Sequence, residues 1–448
     1  MNNRNLAAAV GVVLGAALVT SACDAGSTNK KAGPECVQIV EESTGKKTGE
    51  CLPLAPRKDR VDLGKPAFSR PASITNPLHP SAQVKQVIYG GQVDGKPFRT
   101  EFTLLPGTKS IALKGEQVKA RTIQYMALSD GRIEELALDW FAQADDGSVW
   151  YLGEEVFNYK NGVVADTEGT WLAGKTGPAA MIMPARPGTG DVYRPENAPE
   201  VVFEEVTVKA TGQTVDGPYG PVKGAITVNE LHMDGSHEDK VFAPGYGEFS
   251  TGSAHGDLEA VSLAVPTDAK PGPVPGDLTA LSGAARAAQD GPTDTTARKA
   301  RAAWDKYEAS DRVPRLLDRQ MDRDLGALTR AVGAHDAAAT RGAALRVAQN
   351  ALDLRLRYEP LSSVEADRMD LWARQVTIDA AAGDEGAVAG DVTSLELTWE
   401  RAGAGTPADK AAPIDDALRE LREAADHKDT AAAAKSAPRL LAALGDAS

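Results

Sequence analysis

Between residues 84 and 265 the apolar and polar positions alternate in short runs, the period expected of half-buried strands. These runs are Val84 to Tyr89, Phe98 to Leu105, Ser110 to Leu113 and Val118 to Ala127, and later Glu200 to Lys209, Lys223 to Leu231, Asp239 to Ala243 and Leu258 to Val265. Gly90-Gly91, Asp94-Gly95 and Pro106-Gly107 punctuate them as turns. No helical period interrupts the series, which predicts an antiparallel sheet curled into a sandwich or open barrel. The stretch "PTDAKPGPVPGD" then reads as a linker, and the period changes to three and four. Leu317, Met321, Leu325, Leu328 and Val332 form one stripe, Leu345, Ala348, Leu352 and Leu356 another, and Met369, Trp372 and Val376 a third. Such stripes are the buried faces of amphipathic helices, here five to seven in a bundle. The fold class is therefore α+β in two domains. Residues 1–22 are a targeting segment, 23–80 a tether, 81–270 the antiparallel β domain and 271–448 the helical bundle.

The clearest strand signal is a three-stranded meander over residues 133–173. Asp146-Gly147 and Asn161-Gly162 are dipeptides favoured in tight hairpin turns, which need positive φ. A three-residue loop centred on Asp146 places Trp140 opposite Leu152, and a turn at Asn161-Gly162 places Leu152 opposite Trp171. One face then carries Leu136, Leu138, Trp140, Trp150, Leu152 and Trp171. The other carries Glu135, Asp139, Phe141, Gln143, Tyr151, Glu155 and Glu168, with Glu155 directly opposite Glu168. Like charges so placed repel. Asp139, Glu155 and Glu168, flanked by Phe141 and Tyr151, form a candidate cation or ligand face, since converging carboxylates suit calcium or a cationic ligand. A single β-bulge would shift this parity.

The string "DWFAQADDGSVWYLGEEVFNYKNGVVADTEGTW", with "MIMPARPGTGDVYR", "PYGPVKGAITVNE" and "KVFAPGYGEF", resembles an uncharacterised family of secreted bacterial proteins that carry this aromatic meander. The resemblance covers roughly residues 85–260. It implies an exported protein and carries no catalytic residues with it.

At the start of the chain Arg4 and the apolar run Leu6 to Val19 have signal-peptide form. Thr20-Ser21-Ala22-Cys23 resembles a bacterial lipobox, which implies that Cys23 becomes a lipidated first residue anchored to the cell membrane. An ordinary secretory peptide is the alternative. Cys36 and Cys51 then remain as an even pair in an exported chain, and a disulfide between them would contribute about 3 kcal/mol. Ser, Gly and Pro dominate the rest of 24–80, the composition of an extended spacer.

The net charge of −14 and pI near 5.1 argue against nucleic acid as a partner. No phosphate-binding loop, nucleophile elbow or HExxH motif is present. His232, His237 and His255 lie close in sequence with Met233 and Asp234 and offer a weaker candidate for a zinc or copper site. His79, His335 and His427 read as ordinary surface residues. The expectation is a membrane-tethered extracytoplasmic lipoprotein that binds a ligand or an envelope protein. The alternatives are a divalent-metal-binding protein and a carboxylate-dependent hydrolase, and a divalent cation is the one cofactor these residues suggest.

Overall fold

A computed structural model describes residues 35–41, 44–199, 201–253, 257–309 and 313–447. Cys23 and His255 lie outside the described residues.

Strands β1 (Gln38–Glu41) and β2 (Lys46–Cys51) form a hairpin closed by a Cys36–Cys51 disulfide. The main sheet takes fifteen strands: β3 (Gln86–Val93), β4 (Lys96–Leu104), β5 (Lys109–Leu113), β6 (Glu116–Ser129), β7 (Arg132–Gln143), β8 (Val149–Lys160), β9 (Val163–Asp166), β10 (Trp171–Leu172), β11 (Ala180–Met183), β12 (Val192–Ala198), β13 (Val202–Gly217), β14 (Gly220–His232), β15 (His237–Ala243), β16 (Gly247–Ser253) and β17 (Leu258–Val265). Its strands pair antiparallel in the order β10-β8-β7-β6-β4-β3-β17-β16-β15-β14-β13-β12. β11 pairs with β8 and runs on into β12, the far end of that path. The sheet thus curls into an open barrel, and side chains from β3, β4, β6, β7, β8, β11, β12, β13, β15, β16 and β17 face one internal cavity.

Among the described residues eight helices follow rather than five to seven: α1 (Gly276–Asp290), α2 (Asp294–Glu308), α3 (Arg315–Gly333), α4 (Ala337–Arg355), α5 (Leu361–Ala381), α6 (Glu385–Ala402), α7 (Ala408–Asp426) and α8 (Thr430–Ala447). Pro275, Pro314, Pro360 and Pro407 stand at helix starts, where a missing N–H costs nothing. Asp336 and Asp384 accept from the backbone N–H of Ala339 and Ala387, capping α4 and α6. None of the described helices is long and apolar enough to cross a membrane.

The bundle lies against the outer face of β3, β6, β7 and β17. Ile88, Met126, Leu128, Ile133, Leu136, Leu263 and Val265 share one apolar core with Leu325, Leu328, Val347 and Leu395. The tip of the β8–β9 hairpin, Asn161-Gly162, rests on α6: a Cβ at Gly162 would stand 2.0 Å from the carbonyl oxygen of Gly386. A buried ionic network crosses the same seam. Arg99 on β4 is held by Asp353 of α4 at 2.6 and 2.8 Å and by Glu101 at 2.6 Å. Arg368 of α5 donates to Asp353 and to Glu365, and Arg401 of α6 lies 2.8 Å from both Glu101 and Glu365. The break in composition marks two parts, and this shared core ties them together. Each part alone would expose apolar surface and leave charges without partners.

The stretch expected as a free tether is, from residue 35 on, laid along the barrel. Its apolar residues are spaced too widely to signal an element, yet Ile74 and Leu78 are buried in the barrel's own core. The disulfide hairpin covers Phe203, Leu231 and Met233 with Val37, Val40 and Leu52. Arg194, almost fully buried, donates to Glu35 at 2.7 Å and to Glu205 at 3.0 Å, tying this strap to the far edge of the sheet.

Candidate functional site: an acidic, aromatic barrel interior

The first meander turn forms as the dipeptide demands. The Ala144 N–H donates to the Ser148 carbonyl at 2.8 Å across Asp145, Asp146 and Gly147, and Phe141 stands opposite Tyr151. Beyond that point a bulge at Leu152-Gly153 shifts the register, so Asp139 pairs with Glu154 instead of Gly153. The register shifts again between Asn158 and Tyr159 and once more before β10, so Trp171 stands opposite Glu154. The expected faces are corrected accordingly. Asp139, Phe141 and Tyr151 do come together. Glu155 stands opposite Leu138, on the other side of the sheet. Glu168 sits in the turn before β10, its N–H donating to Asp166. Trp171 leaves the Trp140 and Trp150 stripe and meets Tyr151 edge-on at 5.3 Å.

Gly153 makes this shift possible. Its φ of +123° is open only to glycine at low cost, and a Cβ there would stand 2.4 Å from the Trp171 carbonyl oxygen. Gly153→Ala is expected to cost about 2–4 kcal/mol through strain and overpacking. Urea unfolding checks this, and a loss below about 0.5 kcal/mol would contradict the role of the bulge.

The cavity holds about 200 Å³. Carboxylates reach it from nearly every side: Glu135 and Asp139 on β7, Glu154 on β8, Glu196 on β12, Glu204 on β13, Glu248 on β16 and Glu259 on β17. Aromatic rings fill the gaps. Phe141 stacks on Tyr151 at 4.7 Å, and Phe102 makes edge contacts with Tyr89 at 5.6 Å and Tyr125 at 5.1 Å. Among the described lining residues the one ammonium is Lys240, 2.6 Å from Glu230. His79, expected at the surface, lines the cavity as well, its ring 4.6 Å from Phe141, and desolvation lowers its pKa to about 4.

So many buried acids around one cavity cannot all ionise. Burial, and then the Asp139 charge, push Glu135 up to about 8. Burial raises Asp139 to about 7, against the Tyr151 hydroxyl, which donates to it at 2.7 Å. Burial and Asp139 raise Glu154 to about 8, and Glu196 is displaced upward by burial and by Glu204. Glu135 is 2% exposed and its Oε2 has no hydrogen-bond partner. An orphaned acceptor of this kind is costly unless something arrives to meet it.

The histidine candidates separate. His232 points inward and lies between Glu204, Glu230 and Glu238. His237 stands opposite Leu231, on the outward parity, where its ring meets Asn229 at 2.9 Å. Residues one apart on a strand face opposite ways, so His232 and His237 cannot converge. Sequence reasoning placed Glu135 on this face without choosing it as a candidate, and it missed Glu154, Glu196 and Glu204 in the lining and Glu230 beside His232. The available signal was ionisable residues an even number of positions apart, on one strand face, within otherwise apolar runs, as in Glu135-x-x-x-Asp139 and Glu230-x-His232. No protein-family model matches the chain, and no curated protein matches it.

Proposed function

We propose that this protein is an extracytoplasmic, lipid-anchored binding protein whose barrel takes up a small organic cation, an ammonium group on an apolar body. One observation carries the reading: carboxylates outnumber cations in a cavity otherwise walled by aromatic and aliphatic side chains. An ammonium is the group that satisfies both, through charge on Glu135, Asp139 and Glu154 and through the faces of Phe141 and Tyr151. The disulfide supports an oxidising compartment, and the Cys23 lipobox supports a lipid anchor. The strap and the bundle, packed on the outer surface, leave the barrel interior as the place for the ligand.

Isothermal titration with phenethylamine, tetraethylammonium and phenylacetate tests this. The two cations are expected to bind and to change the fluorescence of Trp171 and Tyr151, and phenylacetate is expected not to bind. Glu135→Gln with Asp139→Asn should weaken the cations by roughly 30-fold or more. Binding of phenylacetate as tight as that of phenethylamine, or no binding of either cation, would overturn the reading.

A further inference from the structure

At one end of the cavity the geometry points to a second, separate site, for a borderline divalent metal ion of the zinc class. We infer that His232, Glu230 and Glu204, with Glu238 beside them, bind it. Three successive strands bring these groups together in register. Glu204 on β13 lies opposite His232 on β14, and Glu230, two residues earlier on the same inward face, lies opposite Glu238 on β15. One ligand atom each from Glu204, Glu230 and His232 can be chosen with all three within 4.8 Å of one another.

The spacing is that of metal ligands rather than of hydrogen-bonded partners. His232 Nε2 is 3.6 Å from Glu230 Oε1 and 3.5 Å from Glu238 Oε2, and His232 Nδ1 is 3.5 Å from Glu204 Oε1. Ligands about 2.1 Å from a tetrahedral zinc are separated by about 3.4 Å. His232 Nε2 and Glu238 Oε2 are buried and have no hydrogen-bond partner, and His232 is 8% exposed. A nitrogen and an oxygen, both orphaned and 3.5 Å apart, are what an ion between them would satisfy. Imidazole with carboxylates selects zinc or its neighbours over calcium, which takes oxygen ligands alone. Lys240, 2.6 Å from Glu230 Oε1, supplies the outer contact that orients a ligating carboxylate.

The test is equilibrium dialysis of chelator-treated full-length protein against zinc chloride, with metal counted by mass spectrometry, followed by cobalt substitution. One zinc per chain is expected, with cobalt giving the visible absorption of a four-coordinate site. His232→Ala should lose both, and Glu238→Gln should weaken zinc binding. In His232→Ala, tetraethylammonium binding should persist, showing that the barrel is intact and separating this inference from the ammonium site. Absence of zinc uptake by the parent protein, or uptake undiminished in His232→Ala that still binds tetraethylammonium, would overturn it.

Discussion

Replacement of Asp353 by alanine is expected to cost about 3–5 kcal/mol and to unfold barrel and bundle in one transition. Asp353 is fully buried and accepts from Arg99 at 2.6 and 2.8 Å and from Arg368 at 2.8 Å. Its removal leaves two guanidinium groups, both in the interior, sharing fewer anions. The charges are paired too closely to be released into water without parting β4 from α4 and α5. Arginine keeps its proton inside a protein, so loss of charge on Arg99 or Arg368 offers no relief. Urea unfolding followed at 222 nm for the helices and by near-ultraviolet dichroism for the barrel aromatics should give coincident curves in parent and variant. The exposed pair Arg298–Asp294 provides the contrast: Asp294→Ala should change stability by less than about 1 kcal/mol. A cost below about 1 kcal/mol for Asp353→Ala, or two separated transitions, would show that the seam is not where the two halves are joined.

The ligand-free protein is expected to lose stability steadily as pH rises from about 5 to 8.5. Glu135 titrates near 8 in the folded state against an ordinary 4.5, and Glu154 likewise, with Asp139 near 7 against 3.8. Between those values the folded chain holds protons that the unfolded chain has released. Stability is therefore greatest below the unfolded pKa values and falls until the folded ones are passed. Glu101 and Asp379 shift downward, and their stabilisation is lost only in acid, outside this window. Glu135→Gln copies the protonated acid at every pH. It should match the parent near pH 5 and exceed it at pH 8.5 by an amount of the order of 2–4 kcal/mol. An organic cation should do the reverse, binding more tightly at pH 8.5 than at pH 6, because it takes the place of protons. Melting curves of parent and Glu135→Gln across this range check the first claim. A flat parent profile would mean that these acids are ionised already and find solvent.

The meander shows how far local chemistry reaches. Asp146-Gly147 marks the turn, and with a three-residue loop there Phe141 opposite Tyr151 follows by counting. Counting fails at Leu152-Gly153, because a bulge there depends on how closely Trp171 approaches. That contact lies 18 residues away, Gly153 to Trp171, and leaves no local trace beyond a glycine within a strand. Alternation separated the apolar face of β7 from the acidic one but did not say which of them turns inward. In β7 the apolar positions such as Leu136 point outward to the helices, and the acids point inward, since this barrel is covered outside and hollow within. The opposite assignment, polar side to water, is the ordinary one for an exposed sheet.

Several features were determined by the sequence alone. The change of period near residue 270 separates strands from helices, turn dipeptides end the strands, and an even pair of cysteines makes one disulfide. Each depends on the conformational preference of a few neighbouring residues or on simple pairing. The tertiary structure alone decided the rest. It turned a proline-rich strap into part of the barrel wall through Ile74 and Leu78, and it joined Arg99 to Asp353 across 254 residues. It also gathered Glu135, Glu154, Glu196 and Glu204 from four strands around one cavity. Burial and charge act through space, and the distance in space between two side chains is set by the closure of the sheet, which no stretch of the chain contains.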